Sequence, residues 1–176
     1  MVRSSERVDA IYRLVPDVMD KTQALLRKSS AQGAEAYCVW VGELRQGAAR
    51  VRDVWPVAAA ANAAHARVSL DHVLLLGDRV ARRGWFILAQ LHTHPGDAFH
   101  SAVDDRFPIS NQPGFVSIVV PNFGKDHVGQ GWAWFVLDGA GRWHHLTGKD
   151  IAAQFVPERP SRRSRIWNAI TGLLRS

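Results

Sequence analysis

Residues 91–105, LHTHPGDAFHSAVDD, close an apolar run with two histidines one residue apart and then turn at Pro95-Gly96. Ser101 and Asp104 follow the turn, so two imidazoles, a hydroxyl and a carboxylate fall within residues 92–104. The run WFILAQLHTH (85–94) has the length and apolar continuity of a buried strand. Strand side chains alternate between faces, so His92 and His94 project together while Thr93 turns away. This one stretch therefore specifies a strand, a tight turn and a helix start, with its polar groups gathered where they meet.

Two imidazoles at a strand end can bind one cation, and the chain after Pro95 can bring in a third ligand. Asp104, on the first turn of a helix opened by Ser101, is best placed for it. A His₂Asp set suits Zn²⁺ and leaves the fourth position to water, whose pKa the ion lowers toward ~7. Ser101 with Asp104 is equally a helix start, a cap hydroxyl followed three residues on by a carboxylate, and the two roles are compatible. His100 and the pair His144-His145 read as ordinary loop or strand residues.

Outward from this stretch, helical and extended segments are interspersed. PDVMDKTQALLRKSS (16–30) places Val18, Leu25 and Leu26 on one helical face. AYCVWVGELR (36–45) reads as a largely buried strand, QGAAR (46–50) as a turn, and VRDVWPV (51–57) as a second strand. AAAANAAHARVSL (58–70) has no clear period and is expected to be a connection. SLDHVLLLGDRVARRG (69–84) is a helix that begins at Ser69 and stops at Gly84. GFVSIVVP (114–121) and GWAWFVLD (131–138) are strands, and Asp138-Gly139 with Gly141 marks a hairpin into RWHHLTG (142–148). The fold class expected is α/β, an α-β-α sandwich on a mixed sheet, in one domain over residues 1–156.

A chain of 176 residues with 47% hydrophobic content and seven tryptophans is long and apolar enough to bury a core. No apolar run approaches the ~20 residues of a membrane-spanning helix, and the N-terminus has no signal-peptide pattern. Cys38 is the only cysteine, so no disulfide within the chain and no multi-cysteine zinc site can form; it reads as a small buried apolar residue. A cytoplasmic protein is expected. The net charge of +6 is uneven, because residues 157–176 carry +4 of it. That tail is expected to be a basic linker and a short amphipathic helix with Ile166, Trp167, Ile170, Leu173 and Leu174 on one face. It is expected to dock on its own domain; partner docking and membrane-surface contact are the sharper alternatives, and nucleic-acid binding is not favoured.

A hydrolase of this design also needs a base for the proton of the attacking water. The chain holds four glutamates, Glu6, Glu35, Glu43 and Glu158. Glu35 leads into the first core strand and Glu43 ends it, roughly 26 Å apart at ~3.3 Å per residue, so only one of them reaches the metal. Spacing leaves that choice open.

A strand-leading glutamate, His-Thr-His-Pro and Ser-x-x-Asp together resemble the JAMM (MPN+) metalloproteases, zinc enzymes that cleave isopeptide bonds to ubiquitin and ubiquitin-like proteins. Glu35 and Gly42 in EAYCVWVG (35–42) match the family's spacing between its catalytic glutamate and the glycine closing the first core strand, which selects Glu35. The resemblance spans roughly residues 16–148, and GFVSIVVPNFG (114–124) is similar to the compact bacterial members that accompany E1-like and E2-like conjugation enzymes. It implies the JAMM/MPN (cytidine-deaminase-like) fold, with His92, His94 and Asp104 binding Zn²⁺. It also implies Glu35 as general acid/base and Ser101 as hydrogen-bond donor to the oxyanion of the tetrahedral intermediate. The implied activity is release or precursor processing of a ubiquitin-like modifier after its C-terminus.

Two positions depart from the family pattern. The segment between His94 and Ser101 is one residue shorter than usual, and Cys38 stands where glycine is common. A shifted helix start would present Asp105 in place of Asp104, but the Ser-x-x-Asp interval is intact and favours Asp104. A metal-free scaffold or binding module of the same fold is the alternative function. A zinc nucleobase deaminase needs paired cysteines, which this chain lacks.

Overall fold

A computed structural model describes residues 11–31, 33–45, 47–57, 60–62 and 65–158. The expected amphipathic C-terminal helix lies outside the described residues. In chain order the elements are β1 (Ile11–Leu14), α1 (Val18–Ser29), β2 (Tyr37–Arg45), β3 (Ala48–Val57), β4 (Ala60–Asn62), β5 (His65–Arg67) and α2 (Leu70–Ala81). They continue with β6 (Phe86–Thr93), α3 (Ala102–Arg106), β7 (Val116–Val120), β8 (Ala133–Leu137), β9 (Trp143–His145), α4 (Gly148–Gln154) and β10 (Phe155–Pro157).

Eight strands make one mixed, curled sheet in the order β10-β1-β3-β2-β6-β7-β8-β9. β2 runs antiparallel to both β3 and β6, β6 runs parallel to β7, and β1 lies parallel to β3 and β10. The most apolar strands, β2, β6 and β7, thus occupy the middle, where both faces are covered, as their unbroken apolar runs demand. Strand parity divides the core. Cys38, Trp40, Leu91, Val116, Ile118, Val120 and Trp134 meet Val18 and Leu26 of α1. Val39, Val41 and Trp55 face the other way and meet Leu76 and Val80 of α2. One polar contact locks α1 to the sheet: the Trp40 indole donates to Thr22 Oγ1 at 2.8 Å, and that hydroxyl donates to the Val18 carbonyl.

The β2–β3 pair carries a bulge at Gly42. A Cβ there would lie 1.9 Å from the Arg50 carbonyl oxygen, so only glycine admits this approach. Helix α2 begins at Ser69, whose hydroxyl accepts from the His72 amide. It ends at Ala81, three residues before Gly84, which takes a left-handed φ of 64°.

Four features differ from the sequence expectation, the first being that residues 48–50, read as part of a turn, already belong to β3. Residues 60–62 and 65–67 form a two-stranded hairpin where a plain connection was expected; these strands are too short for alternation to register. β1 and β10 add an edge to the sheet, and α4 precedes β10. No helix among the described residues is long and apolar enough to cross a membrane.

Candidate metal centre

The chain after β6 is pinned so that both histidines face one point. The Thr93 amide donates to the Ala36 carbonyl at 3.1 Å, and the His94 amide donates to the Val120 carbonyl at 2.9 Å. The Phe123 amide then donates to the His94 carbonyl at 2.8 Å from a tight turn. In that turn Asn122 and Phe123 both hold left-handed φ values, 52° and 55°. Non-glycine residues adopt this region at a cost, which the bonds from the Asn122 and Phe123 amides to the Gly96 and His94 carbonyls offset.

His92 is buried, and its Nε2 lies 3.2 Å from His94 Nε2 and 3.1 Å from Asp104 Oδ1. His94 Nε2 lies 3.8 Å from Asp104 Oδ2. Asp104 reaches this point from α3, where Ser101 and Asp104 form a reciprocal capping box. The Ser101 amide and hydroxyl both donate to Asp104 Oδ2, at 2.8 and 2.6 Å, while the Asp104 amide donates to Ser101 Oγ at 3.3 Å. The shorter segment after His94 therefore leaves Asp104 facing the histidines. Asp105 turns aside to His100.

The three side chains bring their ligand atoms within 4.8 Å of one another, all buried. Two imidazole nitrogens at 3.2 Å share one proton at most, which leaves lone pairs crowded against a carboxylate. A metal ion satisfies all three, and a nitrogen-rich set with one carboxylate suits a borderline transition-metal cation. The electrostatics agree. Burial first, and the neighbouring His92 second, hold His94 below the usual imidazole range, favouring the neutral ring that a cation requires. For Asp104, burial pushes upward, but His92 and the Ser101 donors outweigh it and hold the carboxyl well below the usual range.

One support comes from β2. Tyr37 pairs with His92 across the strands and stacks on its ring, centroids 4.9 Å apart and planes 9° off parallel. That stacking orients the ring, since His92 Nδ1 is buried with no hydrogen-bond partner among the described residues. Burial pushes the Tyr37 phenol up, and the charges of Asp104 and Glu35 add to the effect.

Glu35 stands half-buried just before β2, two residues from Tyr37, and its charge favours the protonated form of His94. Glu43 sits at the other end of β2, paired with Arg52 at 3.1 Å and Arg45 at 3.3 Å. Phe99, 55% exposed, packs its ring edge-on against His94 at 4.8 Å.

Thr93, Tyr37 and His100 escaped the sequence reading. Thr93 Oγ1 accepts from the Ala36 amide at 2.9 Å and bonds Ser30 Oγ at 3.0 Å, tying the residue after Glu35 to the strand of the histidines. The only sequence signal for it was its position between them. His100, read as a loop residue, is buried through its ring. Cys38 sits in the core under α1, where burial pushes its thiol far up and leaves it inert.

Comparison with known proteins finds a curated relative along most of the chain. The chain is 31% identical to the "Probable metalloprotease y4jG" of Sinorhizobium fredii over 139 residues, 74% of this chain and 83% of that protein. No family model matches the chain. Among solved structures it resembles protein DSY2949 from Desulfitobacterium hafniense, with a TM-score of 0.61, 18% identity, and coverage of 87% of this chain and 97% of that one. A protein from Salinibacter ruber aligns with a TM-score of 0.57 at 16% identity, covering 85% of this chain and 93% of the other. These two likenesses concern the fold.

Proposed function

This chain belongs to the family of the probable metalloprotease y4jG, and from that premise we propose that it is a JAMM-type zinc peptidase. Its proposed reaction is hydrolysis of the peptide or isopeptide bond after the C-terminus of a ubiquitin-like modifier, in a system with E1-like and E2-like enzymes. The observation that carries the reading is the convergence of His92, His94 and Asp104 within 4.8 Å, with the Glu35 charge acting on the same imidazole.

His92, His94 and Asp104 would hold the ion, which when bound supplies Lewis acidity at the scissile carbonyl. Glu35 takes the proton of the attacking water and returns it to the leaving amine. Ser101 donates to the developing oxyanion after its hydroxyl rotates away from Asp104 Oδ2, the acceptor it holds at 2.6 Å in the resting site. Tyr37 keeps the His92 ring in place, and Thr93 keeps the Glu35 segment in register with the histidines.

The test combines metal analysis with cleavage. Protein purified without added metal is expected to contain about one zinc per chain and to cleave a ubiquitin-like protein fused through its C-terminus to a reporter, with loss of cleavage in chelator. Glu35→Gln is expected to retain zinc and lose about 10²–10⁴-fold in kcat. Full activity in that variant refutes the role of Glu35. Metal-free protein whose partner binding survives His92→Ala would instead identify a binding module.

A further inference from the structure

We propose that His100 is a positioning residue for the metal centre, bracing the Asp104-bearing helix against the sheet through a buried relay that runs to Ser117 and Gln90. The proposal rests on reading His92, His94 and Asp104 as ligands.

The capping box at Ser101 and Asp104 is local to α3. It fixes the carboxylate relative to its own helix but not the distance from helix to sheet. That distance depends on contacts at the two ends of the segment, and both ends meet one hydrogen-bonded chain. At the start, the His100 ring is 5% exposed, stacked on Phe135 at 4.4 Å and edge-on to Trp143 at 4.8 Å. Its Nδ1 lies 2.7 Å from Asp105 Oδ1 and its Nε2 lies 2.9 Å from Ser117 Oγ. Ser117, fully buried on β7, accepts from Gln90 Nε2 at 3.1 Å. At the far end, Gln90 Oε1 accepts from the Ile109 amide at 2.8 Å.

With His100 neutral, the protons fall into one arrangement. A carboxylate only accepts, so Nδ1 carries the proton and donates to Asp105. Nε2 is then a bare acceptor, so the Ser117 hydroxyl donates to it and is free to accept from Gln90. Every polar atom in the chain is satisfied with His100 neutral, which its burial also favours. Gln90 and His92 share one face of β6 two residues apart. The relay thus hangs both ends of the α3 segment from the strand that carries the histidines, and so sets where Asp104 meets them. Ser117 itself is fully enclosed and cannot reach a substrate, so this aspartate–histidine–serine chain serves position rather than nucleophilic attack.

Two variants cut the relay at different points. Ser117→Ala removes the hydroxyl between His100 and Gln90. Asp105→Ala removes the outer acceptor at a side chain 56% exposed, where loss of folding is not expected. Asp105→Asn keeps an acceptor oxygen and serves as the conservative rescue. Both alanine variants are expected to weaken Zn²⁺ binding, measured by chelator competition, by about tenfold, the scale of support-residue losses at metal sites. The visible bands of bound Co²⁺ should change in both, and Asp105→Asn should restore affinity and spectrum. In the metal-free protein, amide exchange at 101–106 should quicken in both alanine variants and return to the wild-type rate in Asp105→Asn. Wild-type exchange and affinity in both alanine variants overturn the proposal, as does Asp105→Asn behaving like Asp105→Ala. If wild type itself shows no His92-dependent Zn²⁺ binding, the ligand reading fails, and the role assigned to His100 fails with it. Quickened exchange in the variants would then report a brace that serves the fold alone.

Discussion

Thr93→Val removes one hydroxyl and keeps the side-chain volume. Thr93 is fully buried, and its Oγ1 holds the Ala36 amide at 2.9 Å and the Ser30 hydroxyl at 3.0 Å. After the substitution the buried Ala36 N–H loses its acceptor, at about 1–3 kcal/mol, and the Ser30 hydroxyl loses a bond worth about 1 kcal/mol. The total is roughly 2–4 kcal/mol of stability, or a fall in Tm of roughly 5–15 °C for a domain of this size. The functional effect follows from direction. Thr93 points away from the ligand face, so zinc content should hold, while the Glu35 segment loses its tie to β6 and kcat should fall. Urea denaturation, metal analysis and fusion cleavage measure the three quantities. A stability loss below about 1 kcal/mol, or loss of zinc with kcat unchanged, refutes the reasoning.

Gly42→Ala should destabilise the fold by about 3 kcal/mol or more, read by denaturant midpoint, because its Cβ would lie 1.9 Å from a backbone oxygen that only strand displacement relieves. Glu43→Gln should leave zinc content and cleavage at wild-type levels and change stability by about 1 kcal/mol or less, since its partners are partly exposed arginines at the far end of β2. Asp138 is held below its ordinary value of 3.8 by the His144 hydrogen bond first and the Arg142 backbone second. A depressed folded-state pKa gives stability that is present above the unfolded value and lost as pH falls through the folded one. Asp138→Asn should therefore lower Tm at pH 7, and the gap to wild type should close as pH drops below 3.8.

What the sequence disclosed depended on how local the information was. β2, β6, β7 and β8 are apolar runs, and α1 and α2 carry a periodic face, so each announces itself within its own residues. β1 is four residues with Tyr12 as its only buried side chain, and its identity as a strand comes from partners distant in the chain. β4 and β5 are three residues each, too brief for a period to emerge. At the site, His92, His94 and Asp104 were legible because thirteen consecutive residues hold them. Glu35 lies outside that stretch, and only the family resemblance selects it over Glu43; the β2–β6 register, which sets Tyr37 two residues further on opposite His92, is not readable from the sequence. His100 is a loop residue in sequence and structure alike, but its ring burial was not legible because it comes from Phe135 and Trp143, on strands that follow much later.

The edge built from the two ends of the described chain separates what folds early from what folds late. Tyr12 pairs with Phe155, 143 positions further along the chain, whereas β2 and β3 are consecutive strands that pair from Arg45 with Ala48. Closure entropy grows with loop length, and contacts distant in sequence slow folding, so the β1–β10 edge is the natural last piece to dock. It is also the piece whose opening exposes least of the centre. β3 stands between β1 and β2, so partial unfolding at that edge stops short of Tyr37 and His92. Proteolysis or exchange at the edge should therefore proceed while the metal-binding strands stay closed.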